Sequence, residues 1–431
     1  MSRRLPDAPE WSPPDRNLQS FTLRLKLITP MFGGGYETRN VDPITPIRAA
    51  AVRGHLRFWW RALYGGQFGS AEELFQRETQ LWGSAEKPGL VLVTTAVIKG
   101  GNEYTSQGST SVKDGPKHDW VQWSLNEGGR WKKPPKIIPP WPGYALFPFW
   151  GEEPDSTARC RTDVEFRLSV SIGQPATSDA DIQEVIQAIA AWVRYGGLGA
   201  RTRRGCGSLA SMDTLQEIQF PSFNIRRSLV TSVRGSRFVL GREVGDPITA
   251  WRQAVETYQD FRQKEGYARN SGTERNRPGR SRWPEADAIR RITKRHAPKH
   301  SPTNPVQYGF PRADIGLPII FHFKDSGDPG DTRLEGPATG LSRFASPVIT
   351  KAFAVDNGKY RPLILVLNAP HSWSFGPLKL FGSNFHREIE QSLIELTPNE
   401  RRQLPSGDVS IREALLDFAK ARWKTSVETL P

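Results

Sequence analysis

The segment from Thr45 to Leu63 reads TPIRAAAVRGHLRFWWRAL and carries Arg48, Arg53, His55, Arg57, Trp59, Trp60 and Arg61 without one acidic residue. Arg53, Arg57 and Arg61 recur at i, i+4 and i+8, so on a helix they form one stripe of guanidiniums that repel each other slightly. No carboxylate stands at i±3 or i±4 to pair them, and a helix N-terminus itself attracts anions. Phosphate is the ligand this pattern fits. The competing explanation is a set of acids brought in from elsewhere in the fold. Trp60 lies at the border of the stripe and is a candidate to stack on a base.

A second cluster follows further along. Gly196 to Leu209 reads GGLGARTRRGCGSL, in which Gly197, Gly199, Gly205 and Gly207 fit G-h-G-x5-G-h-G, with h apolar. Glycines permit positive φ and leave backbone N–H groups uncovered, which suits a phosphate cradle. Arg201, Arg203 and Arg204 add charge to the same loop. The loop lacks the GK[ST] of a P-loop and does not open a helix after a strand, so nucleotide-binding fingerprints are excluded.

For catalysis the inventory is thin. His55 could serve as a general base, but on a helical wheel it points about 160° from Arg53 and Arg57. His118, His296, His300, His322, His371 and His386 are scattered without metal-ligand spacing. Asp179 and Asp181 are accounted for as helix cap and dipole partners. No cofactor and no metal is expected.

The elements that must position these groups are partly legible. Phe21 to Thr29 alternates as a half-buried strand, and Leu90 to Ile98 and Asp163 to Ile172 read as two more. Thr45 as N-cap and Pro46 in the first turn open the arginine helix. Its core arc is Val52, Leu56, Trp59 and Leu63, with Ala49 beside them. Ser178 to Tyr195 is an amphipathic helix, and a short strand follows near Ser208 to Met212. The order β-α-β-β-α-β is the ferredoxin-like pattern, shared with RRM domains.

The second half reads as a helix over Ile248 to Lys264, strands over Leu317 to Phe323, Pro347 to Val355 and Pro362 to Leu367, and a helix over Ile411 to Trp423. The expected fold class is α+β, with tandem ferredoxin-like domains over 18–217 and 218–431. A flexible arm (1–17) precedes them, and long insertions lie at about 100–160 and 265–305. The latter is basic, with Arg269, Arg275, Arg277, Arg280, Arg282, Arg290, Arg291, Lys294, Arg295 and Lys299, and is a candidate loop that orders on a partner.

Composition agrees with a polyanionic partner. Lys plus Arg total 59 against 45 Asp plus Glu, a net charge of +14, alongside 14 tryptophans in 431 residues. No run of about 18 uncharged apolar residues is present, so no membrane span is expected. The N-terminus has no apolar signal region. Cys160 and Cys206 are too few for a disulfide framework, which fits a reducing cytoplasm.

The glycine loop resembles the C-terminal glycine-rich motif of RAMP proteins, the RNA-binding subunits of CRISPR systems. TPMFGGG with ITPIRAAAVRGHLRFWWRAL resembles the first subunit of the Cmr group of type III-B effector complexes. The resemblance covers Phe21 to Ser208. It implies a non-catalytic RNA-binding subunit that sits near the 3′ portion of the guide RNA, helps capture target RNA and contacts other RAMP subunits. The helix arginines and loop glycines would then flank the RNA path. Related ferredoxin-like RAMP proteins include metal-independent endoribonucleases that process guide precursors, the alternative reading in which His55 matters.

Overall fold

The computed structural model describes residues 18–104, 106–107, 117–118, 120–153, 156–173, 178–223, 226, 230–272, 279–323, 325–337, 342–355, 358–383 and 385–431. The N-terminal arm and Arg275 and Arg277 of the basic stretch lie outside these.

Four strands, β1 (Leu18–Leu27), β2 (Val91–Lys99), β3 (Glu165–Gly173) and β4 (Leu209–Ser211), form an antiparallel sheet in the order β4-β1-β3-β2. β1 and β3 pair from Leu18↔Gly173 to Lys26↔Glu165. Alternation puts Leu25, Leu27, Phe166, Leu168, Val170 and Ile172 on one face. The opposite face carries Ser20, Thr22, Arg24, Arg167, Ser169, Ser171 and Thr94, so among the described residues it offers no aromatic platform of the RRM kind.

The helices are α1 (Ala49–Tyr64), α2 (Ala71–Trp82), α3 (Gly143–Trp150) and α4 (Asp179–Tyr195). The expected core arc of α1 is correct: Val52, Leu56, Trp59 and Leu63 are all buried. Its expected start is not. Asp42 Oδ1 accepts from the amides of Ile44 (2.9 Å) and Thr45 (2.8 Å), which fixes a turn at the expected start of the helix. Ile47 is then tucked into the core with its carbonyl taken by Thr95 Oγ1, and helical geometry starts four residues after Thr45. α4 begins as its sequence indicates, with a capping box between Ser178 and Asp181.

A second sheet repeats the first. β5 (Ser232–Leu240), β6 (Val348–Ala354), β7 (Tyr360–Asn368) and β8 (Glu428–Thr429) lie in the order β6-β7-β5-β8. Each sheet thus has its first and third strands central, and its second and fourth at the edges. α5 (Pro247–Gln263), α6 (Glu285–Thr293) and α7 (Ile411–Trp423) belong to this half. A further sheet of Ile319–Phe321, Thr332–Glu335, Leu378–Gly382 and Phe385–Ile389 stands beside it, and this is where the strand expected at Leu317 to Phe323 pairs.

The layers share cores. One cluster joins the inner face of the first sheet, α1 and α4 to Val233, Ile349, Leu363, Leu365 and Leu367 of the second sheet. Ile364, Val366, Val239 and Val348 point the other way, onto Tyr258 and Phe261 of α5 and Ala414 and Leu415 of α7. The insertion at 100–160 packs into a further core shared with the rest of the chain. Trp120, Trp123, Trp141 and Phe149 pack with Phe32, Cys160 and Cys206, and with Trp251 of α5. These tryptophans are core, not stacking surface.

Candidate nucleic-acid interface

The stripe on α1 divides in two. Arg57 Nε donates to Glu78 Oε1 at 2.6 Å and Arg61 Nη1 donates to the same oxygen at 2.5 Å. Glu78 is buried on α2, an element sequence reasoning did not identify. The signal was present in Ser70 followed by Glu73: Ser70 caps the helix and Glu73 stands in its first turn. One carboxylate between two guanidiniums leaves a positive balance. Arg53, beside Gly83, makes no hydrogen bond or ion pair to a described residue, and Arg48 is exposed with Asp42 as its charged neighbour.

Trp60 is not available for stacking. It is fully buried, its Nε1 donates to Glu184 Oε2 at 2.8 Å, and Tyr64 and Phe68 flank its ring. Arg77 bridges Asp181 and Glu184 and completes a polar seam joining α2 and α4 beneath the stripe.

The glycine loop is an internal joint. Several of its amides, expected to be bare, are spent on protein. Leu198 N donates to Gly207 O, Ala200 N to Phe32 O, Gly207 N to Pro30 O and Ser208 N to Thr29 Oγ1. The glycines are required by close approach. At Gly205 (φ +76°) a Cβ would lie 2.5 Å from Trp251 Cδ1, and at Gly207 (φ +64°) 1.9 Å from Leu198 O. Gly197 and Gly199 meet the backbones of Gly207 and Phe32 in the same way.

The loop arginines meet no carboxylate among the described residues. Arg203 donates to Ser346 O and lies over the Phe58 ring. Arg204 donates to Val348 O (2.8 Å) and Tyr258 Oη (3.1 Å), with its guanidinium carbon 4.3 Å from the Tyr258 ring centre. Arg201 lies over Phe147, and its buried Nε has no hydrogen-bond partner among the described residues. Arg262 donates to Tyr258 Oη, and the buried Lys351 donates to Gly196 O at 2.8 Å. No ion pair joins any of these five cations to a described residue.

The titrations reflect that imbalance. Burial, then Arg204, pulls Arg203 down to about 10, and burial alone pulls Lys351 down to about 7. Burial would raise the Tyr258 phenol, but Arg204 and Arg262 outweigh it and bring it to about 8. The joint is a concentration of positive charge that carbonyl dipoles and aromatic faces only partly offset.

A cleft of about 150 Å³ opens here, lined by His55, Phe58, Trp59, Gly197, Thr202 and Arg203. His55 therefore shares its surroundings with the loop rather than with the helix arginines. It lies flat against Trp192, and burial lowers its pKa.

The basic stretch has a structural role where it is described. Arg280 and Arg290 both bind Asp287, Arg290 also binds Asp328, and Arg291 donates to the carbonyls of Asn304, Val306 and Gln307. Among the described residues no His, Cys, Asp and Glu group could hold a metal, and no helix is long and apolar enough to cross a membrane.

Residues 24–210 match the model of the RAMP superfamily. The CRISPR system Cmr subunit Cmr1-2 of Pyrococcus furiosus is 29% identical over 193 residues, covering 43% of this chain and 91% of that protein. Among solved structures, apo Cmr1 of Pyrococcus furiosus aligns with a TM-score of 0.46 at 17% identity, covering 96% of this chain and 98% of the other. A chain of type III-B Cmr-beta bound to cognate target RNA and AMPPnP in the presence of ssDNA aligns with a TM-score of 0.44 at 12% identity, covering 80% and 94%. Residues 24–210, which hold both the arginine helix and the glycine loop, are thus the part of the chain that is similar to the RAMP superfamily.

Proposed function

We propose that the chain is a non-catalytic, RNA-binding subunit of a type III-B CRISPR effector complex in the cytoplasm, built from two ferredoxin-like domains. In this reading it holds the guide RNA near its 3′ end, helps capture target RNA and contacts other RAMP subunits. The observation that carries it is the uncompensated charge of the joint. Arg201, Arg203 and Arg204 gather where the glycine loop meets the second sheet, with no carboxylate among the described residues to neutralise them. Buried charge without a partner is costly, and a phosphodiester at the mouth of the cleft would relieve it. Arg48 and Arg53 extend the positive surface along α1, whereas Arg57 and Arg61 contribute only what Glu78 leaves over.

The test uses the two arginines that hold no structure. Arg48→Ala with Arg53→Ala should leave the fold intact and lower the slope of log affinity against log salt by about 0.7 to 1.4 for single-stranded RNA, since each phosphate no longer neutralised accounts for ~0.7. An unchanged slope in a folded variant removes α1 from the RNA path. The placement of His55 in the cleft with Arg203 favours a second reading, a metal-independent endoribonuclease. The same RNA incubated in EDTA discriminates: it stays whole under the binding reading and acquires a defined cut under the other.

A further inference from the structure

The second half of the chain holds a cleft of about 370 Å³ that none of the above uses. It lies where the end of β7, the turn Pro311–Ile315 and the first turn of α7 converge. His371 is part of its lining. Its Nδ1 donates to Asp314 Oδ2 at 2.9 Å, and Asp314 is itself buried and fixed by Arg412 at 2.8 Å and by the amide of Ser372 at 3.0 Å. The carboxylate therefore dictates which nitrogen keeps its proton and how the ring is turned. Nε2 makes no hydrogen bond to a described residue, and the side chain is 47% exposed. The imidazole lies flat on Trp373, with ring centres 4.4 Å apart and planes 9° from parallel.

A rigid, half-exposed aromatic pair with one free ring nitrogen is a platform for a flat ligand that donates a hydrogen bond. The rim indicates which kind. Arg237, Arg401 and Arg412 are matched there by Asp314, Glu395 and Glu413, and Arg237 pairs with Glu413 at 3.0 Å. A cleft with balanced charge does not favour a run of phosphates. It suits a heterocycle carrying both donors and acceptors, with a ribose attached, and its volume falls within the range of small-ligand sites.

We propose that this cleft binds one unpaired ribonucleotide. The base stacks on the His371–Trp373 pair, His371 Nε2 accepts from a ribose hydroxyl beside the stack, and the rim carboxylates accept from base N–H groups. The contact is separate from the joint, which lies at the glycine loop.

Calorimetry of the full chain with AMP, GMP, CMP and UMP tests it. At least one monophosphate should bind saturably, and Trp373→Ala should weaken it about tenfold or more, as removing a stacking platform does. His371→Asn should also weaken it, because the freed Asp314 still pairs with Arg412 and the fold is retained. Arg48→Ala with Arg53→Ala should leave monophosphate binding unchanged, which separates this site from the proposed RNA path. Absence of binding at millimolar nucleotide, or equal affinity in folded His371→Asn and Trp373→Ala variants, overturns the proposal. So does a protein partner that occupies the cleft while nucleotides do not compete.

Discussion

At the residue scale, the pairing of Glu78 with Arg57 and Arg61 decides how the arginine helix should be understood. A buried carboxylate that loses its cations, or cations that lose their carboxylate, costs more than the pair ever contributes. Glu78 has two partners, so the two truncations are not symmetric. Glu78→Ala leaves Arg57 and Arg61 facing one another and should cost about 2 kcal/mol, less than for a fully buried pair because both guanidiniums are about a third exposed and screened. Arg57→Ala should cost less, since Arg61 still neutralises the acid. Urea midpoints of the two variants check the order, and a reversed order would mean that Glu78 is held by something other than these arginines. Glu78→Ala should also strengthen RNA binding if the freed guanidiniums reach the RNA.

At the scale of elements, legibility in the sequence depends on whether an element's partners lie nearby. The core arc of α1, the capping box of α4 and the span of α7 follow from local periodicity and capping, which need no knowledge of the rest of the fold. The role of the stripe does not follow, because its counter-charge arrives on α2, whose pattern of Leu74, Glu78, Leu81 and Trp82 inserts an acid among core positions. The glycine loop misleads for a similar reason. Its spacing is visible in one dimension, but the partners of the Ala200, Gly207 and Ser208 amides come from Thr29 to Phe32, and the close neighbours of Gly205 are Trp251 and Thr350.

Lys351 shows how far that joint departs from balance. It sits wholly buried on β6 and caps the C-terminal carbonyls of α4. Its folded pKa of about 7 lies below the ordinary lysine value, so above pH 7 the unfolded chain binds the extra proton. Stability should therefore rise as pH increases from about 7 to 9, and Tyr258, lowered to about 8, contributes in the same direction. Below pH 7 this lysine's penalty is present in full. Lys351→Met should flatten the rise, which denaturation at a series of pH values would show. An identical slope in the variant would mean that the ammonium finds water or an anion that relieves its burial.

At the scale of the whole molecule, the division near residue 217 looks natural in the sequence, because a β-α-β-β-α-β pattern ends there. The packing crosses it. Ile349, Leu363, Leu365 and Leu367 from the second sheet belong to the same core as α1 and α4, so the helices of the first half are covered on both sides. Burying four such side chains is worth roughly 1.5 to 3 kcal/mol each, a sum comparable with the total stability of an ordinary domain, about 5–15 kcal/mol. The joint adds Trp251 against Gly205 and Arg204 against Val348 and Tyr258. A fragment of residues 18–217 would expose that apolar helix face and leave Arg203 and Arg204 without their carbonyls, and it should bind a hydrophobic dye or aggregate. The full chain should unfold in one transition, with tryptophan fluorescence and far-UV circular dichroism coinciding. A fragment that is soluble, monomeric and cooperatively folded would show that the two halves only lean on each other. The positive joint between them would then be a hinge rather than a fixed mount for RNA.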